Sequence, residues 1–262
     1  MSPEFQPGLN RITSRDNPLL KELRRLSQDS SAYRKQGRFW VEGEHLCQAA
    51  LDRGWSPALA VLSESLDIPS MKRWAAGALK TIVMADDLFA GLSALESPAR
   101  MAFVFELPST TKVEPAVATV ILDRLQDAGN VGSILRSASA FGFRQVLALK
   151  GGAALWSPKV LRAGMGAHFA LHLLEGLELE DLDVLTVPLV VTSSHQGVLL
   201  QKQSLPMPCA WIFGHEGQGA RRELLELSSL RLRIGQPGGE ESLNVAAAAA
   251  ICLHASSLNA HP

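Results

Sequence analysis

The chain has 262 residues, of which 47% are hydrophobic and 19% charged, and its formal net charge is −1. This composition excludes a disordered chain and supplies enough apolar material for one large domain or two ordinary ones. The longest uncharged apolar run, residues 245–253, is too short for a bilayer span, and the first residues lack a signal-peptide pattern, so we expect a cytoplasmic protein with no membrane segment. Three widely spaced cysteines without C-x-x-C spacing fit a reducing compartment and are expected in the core: Cys47, Cys209 and Cys252.

The first part of the chain alternates short β-like runs with helix-like stretches, which is typical of an α/β layer. A helix is predicted to begin at Asn17-Pro18, with leucines on one face and basic residues on the other. Strands are predicted at residues 38–41, 59–62, 81–84 and 101–105. Helices are predicted at residues 44–52, 69–79 and 86–95.

Residues 108–115 contain two prolines and no apolar run, which predicts a linker between an N-terminal domain (1–107) and a C-terminal domain (116–262). In the second domain, buried strands are predicted at residues 118–122, 145–149, 189–192, 210–213 and 230–234. Helices are predicted at residues 131–141, 159–165, 220–227 and 243–257. This alternation predicts a parallel sheet with helices on both faces.

A basic segment lies near the start of the chain. Residues 11–38 hold eight basic and three acidic side chains, so the segment has a charge of +5. Such a segment fits a nucleic-acid contact or a solvated helix face, and both interpretations remain open here. The eight basic residues are Arg11, Arg15, Lys21, Arg24, Arg25, Arg34, Lys35 and Arg38.

Ligands bind at the carboxyl ends of strands in parallel sheets, and three loops at those ends of the second domain are unusual. In the first, Asn130 is predicted to cap a helix that begins at Val131, with Arg136 also bordering the loop mouth. The second, residues 214–219, holds three glycines in the order G-x-x-G-x-G. That order excludes the Rossmann fingerprint and the P-loop, and it leaves a plain glycine-rich turn as the alternative to a ligand loop.

The third loop, residues 235–244, leads into an alanine-rich helix. Ser242 or Asn244 is expected to cap that helix, and Glu241 would favour its positive end. Five consecutive alanines, residues 246–250, indicate close packing against another element or against a second subunit.

The three segments, in this order, resemble the motifs of the SpoU/TrmH branch of the SPOUT superfamily of RNA ribose 2′-O-methyltransferases. The match lies in N-x-G-x-x-x-R at residues 130–136, G-x-E-G-x-G at 214–219 and E-S-L-N at 241–244. The first domain is similar to the substrate-binding module often fused ahead of this catalytic domain, chiefly at residues 39–43 (FWVEG). The resemblance implies a parallel-sheet SPOUT domain with a deep trefoil knot, a topology that is rare.

The resemblance also implies S-adenosylmethionine as the cofactor and assigns site residues. The residues expected at the reacting centre are Asn130, Arg136, Glu216, Ser242 and Asn244. Those expected to contact the cofactor are Phe213, Gly214, His215, Glu216, Gly217, Ile234, Gln236, Ser242, Leu243, Asn244 and Ala247. An arginine matching Arg136 has been proposed in the family as the base. Because a guanidinium stays protonated in proteins, we instead expect Arg136 to bind an RNA phosphate together with the eight basic residues above.

The chain departs from the family pattern at three places: His215 replaces the usual Asn, Ala128 the usual Pro, and residues 235–237 lack the usual Pro-Met. His168 and His172 lack a third ligand, so no metal site is expected. The expected partner is ribosomal RNA, with transfer RNA as the alternative substrate and a non-catalytic RNA-binding protein as the alternative class. A homodimer through the catalytic domain is also expected.

Overall fold

The computed structural model describes residues 10–109, 112–193, 197–238 and 242–259. It divides into two compact units. Unit 1 comprises Met1–Ser109 with Trp156–Leu161, and unit 2 comprises Thr110–Leu155 with Arg162–Pro262.

Unit 1 contains a five-stranded sheet. Its strands are Asn10–Ile12 (β1), Arg38–Glu42 (β2), Leu59–Ser63 (β3), Thr81–Met84 (β4) and Met101–Glu106 (β5). Its helices are Pro18–Gln28 (α1), Ala32–Gln36 (α2), Glu44–Leu51 (α3), Ile68–Ala76 (α4) and Asp86–Ala90 (α5). The strand order is β1-β4-β3-β5-β2, parallel from β1 to β3, with β5 antiparallel to both of its neighbours.

Helix α1 forms for the reasons that the sequence indicated. The Asn17 side chain accepts a hydrogen bond from the backbone N–H of Leu19 at 2.9 Å, and Pro18 occupies the first helical position. The inner face buries Leu20, Leu23 and Leu26. The basic side chains of α1 therefore stay on its solvent face.

Unit 2 contains a seven-stranded parallel sheet. Its strands are Thr119–Asp123 (β6), Gln145–Leu149 (β7), His172–Leu177 (β8), Leu189–Thr192 (β9), Val198–Leu199 (β10), Ala210–Gly214 (β11) and Leu230–Arg233 (β12). Its α-helices are Ala128–Ala140 (α6), Arg222–Leu227 (α8) and Val245–Ser257 (α9). Helix Pro158–Gly164 (α7) begins in the unit 1 segment and ends in unit 2. The strand order is β10-β12-β9-β11-β6-β7-β8.

Apolar strands fill the centre of this sheet. Ile121, Leu147, Val191 and Ile212, from four adjacent strands, belong to one buried cluster. The predicted parallel sheet and its five central strands are confirmed. The trefoil knot stays a prediction.

Among the strands and α-helices of the described residues, four were not predicted: β1, α2, β8 and β10. β1, β8 and β10 are edge strands, and β10 has only two residues, so none of them presents a long apolar run.

The three cysteines are free and buried, as expected. Within the described ranges, no helix combines the length and apolarity needed to cross a membrane.

Candidate active site

A cavity of about 570 Å³ opens at the carboxyl ends of β9, β11 and β12, beside the start of α9. These ends meet at one edge because the three strands are parallel neighbours. The lining residues are Thr192, Ser193, Gly214, His215, Glu216, Gly217, Gln218, Gly219, Ala220, Leu225, Ile234, Gln236, Ser242, Leu243, Asn244, Val245 and Ala248.

Most of the residues predicted to contact a cofactor line this cavity. They are Gly214, His215, Glu216, Gly217, Ile234, Gln236, Ser242, Leu243 and Asn244. Phe213 does not, because its ring is fully buried and stacks on Trp211. Ala247 also does not line it, and its backbone N–H donates to the Asn244 side chain.

Other residues that line the cavity were not predicted from the sequence. Thr192 is the last residue of β9 and Ser193 follows it, so the rule used for the other loops, that ligands bind at the carboxyl ends of strands, would have found them. Val245 and Ala248 belong to the first turn of α9 and gave no signal in sequence.

The glycine-rich loop turns tightly against itself. A Cβ at Gly214 would lie 2.0 Å from the backbone nitrogen of Ala220, so no side chain fits there. The N–H of Gly219 donates to the carbonyl of His215 at 2.8 Å, and Nδ1 of His215 accepts from the N–H of Gly217 at 3.1 Å. His215 thus stabilises the loop by accepting from the residue two positions on.

Side chains from the three loops form one hydrogen-bonded chain. Nδ2 of Asn130 donates to Oε1 of Glu216 at 3.3 Å, and Nδ2 of Asn244 donates to Oδ1 of Asn130 at 3.0 Å. Asn244 also caps α9, because its Oδ1 accepts from the backbone N–H of Ala246 at 2.9 Å. The folded chain therefore joins residues that are 86 and 114 positions apart.

The carboxylate of Glu216 is held in its ionised form. Burial alone would raise its pKa, but hydrogen bonds from its own backbone N–H, the N–H of Asp127, the Asn130 side chain and the N–H of Gln126 outweigh burial and lower the pKa. A carboxylate with a lowered pKa is a weak base. Its contacts instead fix the first loop against the glycine-rich loop.

The predicted cap at Asn130 is wrong. Helix α6 begins at Ala128, and its N-cap is Asp127, whose side chain accepts from the backbone N–H of Asn130 at 2.7 Å. Both residue types favour N-caps, so the sequence alone did not distinguish them. The correction leaves the Asn130 amide available to the site.

Two residues of the first motif have different surroundings. A Cβ at Gly132 would lie 2.3 Å from Cβ of Ala163, so this glycine lets α6 approach the end of α7. Arg136 is exposed on α6, does not line the cavity, and has no hydrogen bond or ion pair with any described residue. Its place at the loop mouth stays a prediction.

Ser242 lines the cavity and Asn244 caps α9, so the second of the two predicted caps is the correct one. Glu241 lies outside the described residues. Among the described residues, no group of three or more His, Cys, Asp or Glu side chains is arranged to hold a metal ion.

The basic segment of unit 1 divides into paired and unpaired side chains. Ion pairs join Arg11 to Glu64, Arg15 to Asp87, and Arg38 to Glu22 and Glu106. Arg24 donates to the carbonyl of Gly91, and Arg34 lies over the ring of Tyr33. Lys21, Arg24 and Arg25 line a groove on α1 with Gln28 and Asp29.

Comparisons with known proteins match both units. Residues 118–254 match the model of the SpoU rRNA Methylase family. Residues 17–102 match the MRM3-like substrate binding domain.

Individual relatives align along nearly the whole chain. An uncharacterized tRNA/rRNA methyltransferase of Synechocystis is 30% identical over 93% of this chain and 92% of its own length. The 23S rRNA (guanosine(2553)-2′-O)-methyltransferase RlmP of Bacillus subtilis is 29% identical over 94% and 98%. A crystal structure of an RNA 2′-O ribose methyltransferase is 32% identical, covers 95% of this chain and 98% of its own, and superposes with a TM-score of 0.78. Because the family model matches more than half of the chain and the Synechocystis relative is 30% identical along 93% of it, the chain belongs to the SpoU rRNA Methylase family of S-adenosylmethionine-dependent RNA 2′-O-methyltransferases.

Proposed function

We propose that this chain transfers a methyl group from S-adenosylmethionine to a ribose 2′-hydroxyl of ribosomal RNA. The observation that carries the proposal is the hydrogen-bonded chain of Glu216, Asn130 and Asn244 beside the cavity. The names of the relatives support ribosomal RNA, and one of them leaves transfer RNA as the alternative.

The cavity suits the cofactor in its chemistry. Its described lining contains no Lys or Arg, and Glu216 supplies a carboxylate, so the surroundings tolerate a cationic sulfonium. Backbone atoms of the glycine-rich loop, with the apolar Ile234 and Leu243, would hold the adenosine. When bound, the cofactor supplies an electrophilic methyl on sulfur.

The residues of the chain then have to align the ribose hydroxyl and handle its proton. Asn130 uses one amide proton on Glu216 and one carbonyl lone pair on Asn244, which leaves its second proton and second lone pair for a substrate hydroxyl. Ser242 would lie at the same rim. Arg136, with no partner in the described residues, would hold the adjacent RNA phosphate in the bidentate geometry that guanidinium offers.

Unit 1 would bind the RNA backbone. Among the described residues, Lys21 and Arg25 on α1 have no ion-pair partner. Arg24 lies beside them, and Lys35 is also exposed. Phosphate contacts of this kind position RNA without reading bases. The paired residues Arg11, Arg15 and Arg38 contribute less, since their charges are already compensated within the unit.

The proposal includes a cytoplasmic homodimer formed through unit 2. Helix α9 packs against α6, yet Ile251 on α9 is 41% exposed, and Leu258, the C-cap of α9, is 71% exposed. A second copy would cover this apolar face. Sedimentation should show a dimer at micromolar concentration, and a monomer would contradict this part of the proposal.

The experiment that tests the function compares ribosomal RNA from cells with and without the protein. Nucleoside mass spectrometry should show one 2′-O-methylnucleoside lost in the deletion strain. Loss from transfer RNA instead would select the alternative substrate. A protein that binds RNA but shows no cofactor binding in calorimetry would be the non-catalytic alternative, against which the presence of Asn130, Arg136, Glu216 and Asn244 argues.

A further inference from the structure

One buried carboxylate of unit 2 has no part in the reaction described above. Asp123 is the last residue of β6, and its side chain is fully buried. It forms ion pairs with Arg221 at 2.6 Å and with Arg124 at 3.1 Å. A buried charge is stable only when such partners compensate it. We therefore looked for what these ion pairs hold in place at the carboxyl end of β6.

Arg221 binds Asp123 through backbone and side chain together. Its backbone N–H donates to Oδ2 at 2.9 Å, and its Nε donates to Oδ1 at 2.8 Å. Arg221 lies two residues after Gly219, the last residue of the glycine-rich loop (214–219), and it is the N-cap of α8. These bonds therefore fix the exit of that loop to the end of β6.

Arg124 connects the same carboxylate to the middle of the loop. Its Nε donates to Oδ1 of Asp123, and its Nη1 donates to Oε1 of Gln218 at 3.3 Å. Gln218 lines the cavity. Arg124 has a φ of +59°, a conformation that non-glycine residues adopt only when their surroundings enforce it.

We propose that Asp123, with Arg221 and Arg124, acts as a positioning residue for the cofactor: it clamps the glycine-rich loop to the end of β6. The Asp123 clamp, as we name these three residues, holds the loop at two points, its exit and its middle. The inference rests on the proposed function, because it takes the cavity as the cofactor site. None of the three clamp residues is among the described residues that line the cavity, so the effect of the clamp passes through the loop.

The test is isothermal titration calorimetry of the full chain with S-adenosylmethionine. Arg221→Gln should raise the Kd at least tenfold. Arg222→Gln is the matched control, because the neighbouring Arg222 pairs with Glu226 at 2.6 Å on the solvent side of α8 and does not reach the loop. It should change the Kd less than twofold. Arg221→Lys should recover only part of the affinity, since an ammonium lacks the planar fork.

Kinetics separate positioning from a general loss of stability. If the clamp positions the loop, Arg221→Gln raises the KM for S-adenosylmethionine and leaves kcat close to the wild-type value. A purely structural role would instead lower kcat with the active fraction and leave KM unchanged. If Arg221→Gln fails to fold, Gln218→Ala serves, because it removes the exposed acceptor of the Arg124 hydrogen bond, and it should raise the Kd two- to fivefold.

The outcomes distinguish the clamp from the cavity assignment. If Gly214→Ala, which blocks the loop itself, binds the cofactor like wild type, the cavity is the wrong site and the proposed function loses its basis. If Gly214→Ala abolishes binding while the Arg221 and Gln218 variants bind normally, the cavity stands and the clamp is refuted. Equal weakening by Arg221→Gln and Arg222→Gln would also refute the clamp.

Discussion

Substitution of Gly214 by alanine is the most direct way to disturb the cavity. An alanine Cβ at this position would lie 2.0 Å from the backbone nitrogen of Ala220 and 2.2 Å from the carbonyl carbon of Gly219. Ordinary contact begins at 3.4 Å, so the loop must move by about 1.4 Å. Both obstructing atoms are backbone, and they are tied down by the Gly219-to-His215 and Arg221-to-Asp123 hydrogen bonds, so the movement distorts the whole turn.

We expect Gly214→Ala to lower the free energy of unfolding by about 1 to 3 kcal/mol, the usual cost of overpacking. We expect cofactor affinity to fall at least a hundredfold, because the displaced segment lines the cavity. Urea unfolding and calorimetry measure the two effects. The matched control is Gly238→Ala, since a Cβ at Gly238 would meet no atom of the described residues within 4 Å. Normal cofactor affinity in a folded Gly214→Ala variant would refute the reasoning.

Three further predictions concern other parts of the molecule. Arg136→Ala should lower the rate of methyl transfer at least a hundredfold and leave the cofactor affinity little changed, and Arg136→Lys should restore little of that rate. Near-normal turnover of Arg136→Ala on full-length RNA would contradict the phosphate-binding role. Burial lowers the pKa of His168 to about 4, so the contribution of neutral His168 to the free energy of unfolding should be fully present above pH 6.5 and fall by about 3 kcal/mol towards pH 4. Urea unfolding of His168→Gln should lack this pH dependence, and identical pH profiles of the variant and the wild type would contradict the prediction. Replacing Lys21 and Arg25 by Gln should reduce the slope of log RNA affinity against log salt concentration by about 1.5. Arg15→Gln removes a charge that is already paired with Asp87, so it should change the slope less. An unchanged slope in the double variant would mean that the α1 groove does not bind RNA.

The sequence predicted the central strands well because their burial leaves a direct pattern. β6, β7, β9, β11 and β12 are short apolar runs between turn residues, and each was found to within one residue at either end. Edge strands carry no such pattern. β8 has only one buried position, Leu174, among half-buried and exposed ones, and its pairing with β7 depends on the tertiary fold.

The candidate site was predictable at the level of loops and less so at the level of contacts. Gly214, Glu216 and Asn244 were selected because unusual residues follow strands, and all three line the cavity. The helix cap was misplaced because Asp127 and Asn130 are both capping types three residues apart. Ion pairs such as Arg15 with Asp87 join residues 72 positions apart, and no local pattern encodes them.

The same limit hid the Asp123 clamp. Asp123 ends a predicted strand, which is itself a signal of a polar group at a sheet edge. Its partner Arg221 is 98 residues away and is recognisable only after β6 and β11 pair in register. Long-range electrostatic partners of this kind are fixed by topology, whereas strand and helix positions follow from local apolar patterns.

The central claim is that this chain methylates a ribose 2′-hydroxyl and that Asn130 acts on the RNA side of the site. The most direct measurement is transfer of a labelled methyl group from S-adenosylmethionine to ribosomal RNA from a deletion strain, with the product nucleoside identified by mass spectrometry. Wild-type protein should give a single 2′-O-methylnucleoside, and Asn130→Ala should lower the rate at least a hundredfold while its calorimetric affinity for the cofactor stays within a few-fold of wild type. Methylation of a base, or full turnover by Asn130→Ala, would contradict the account.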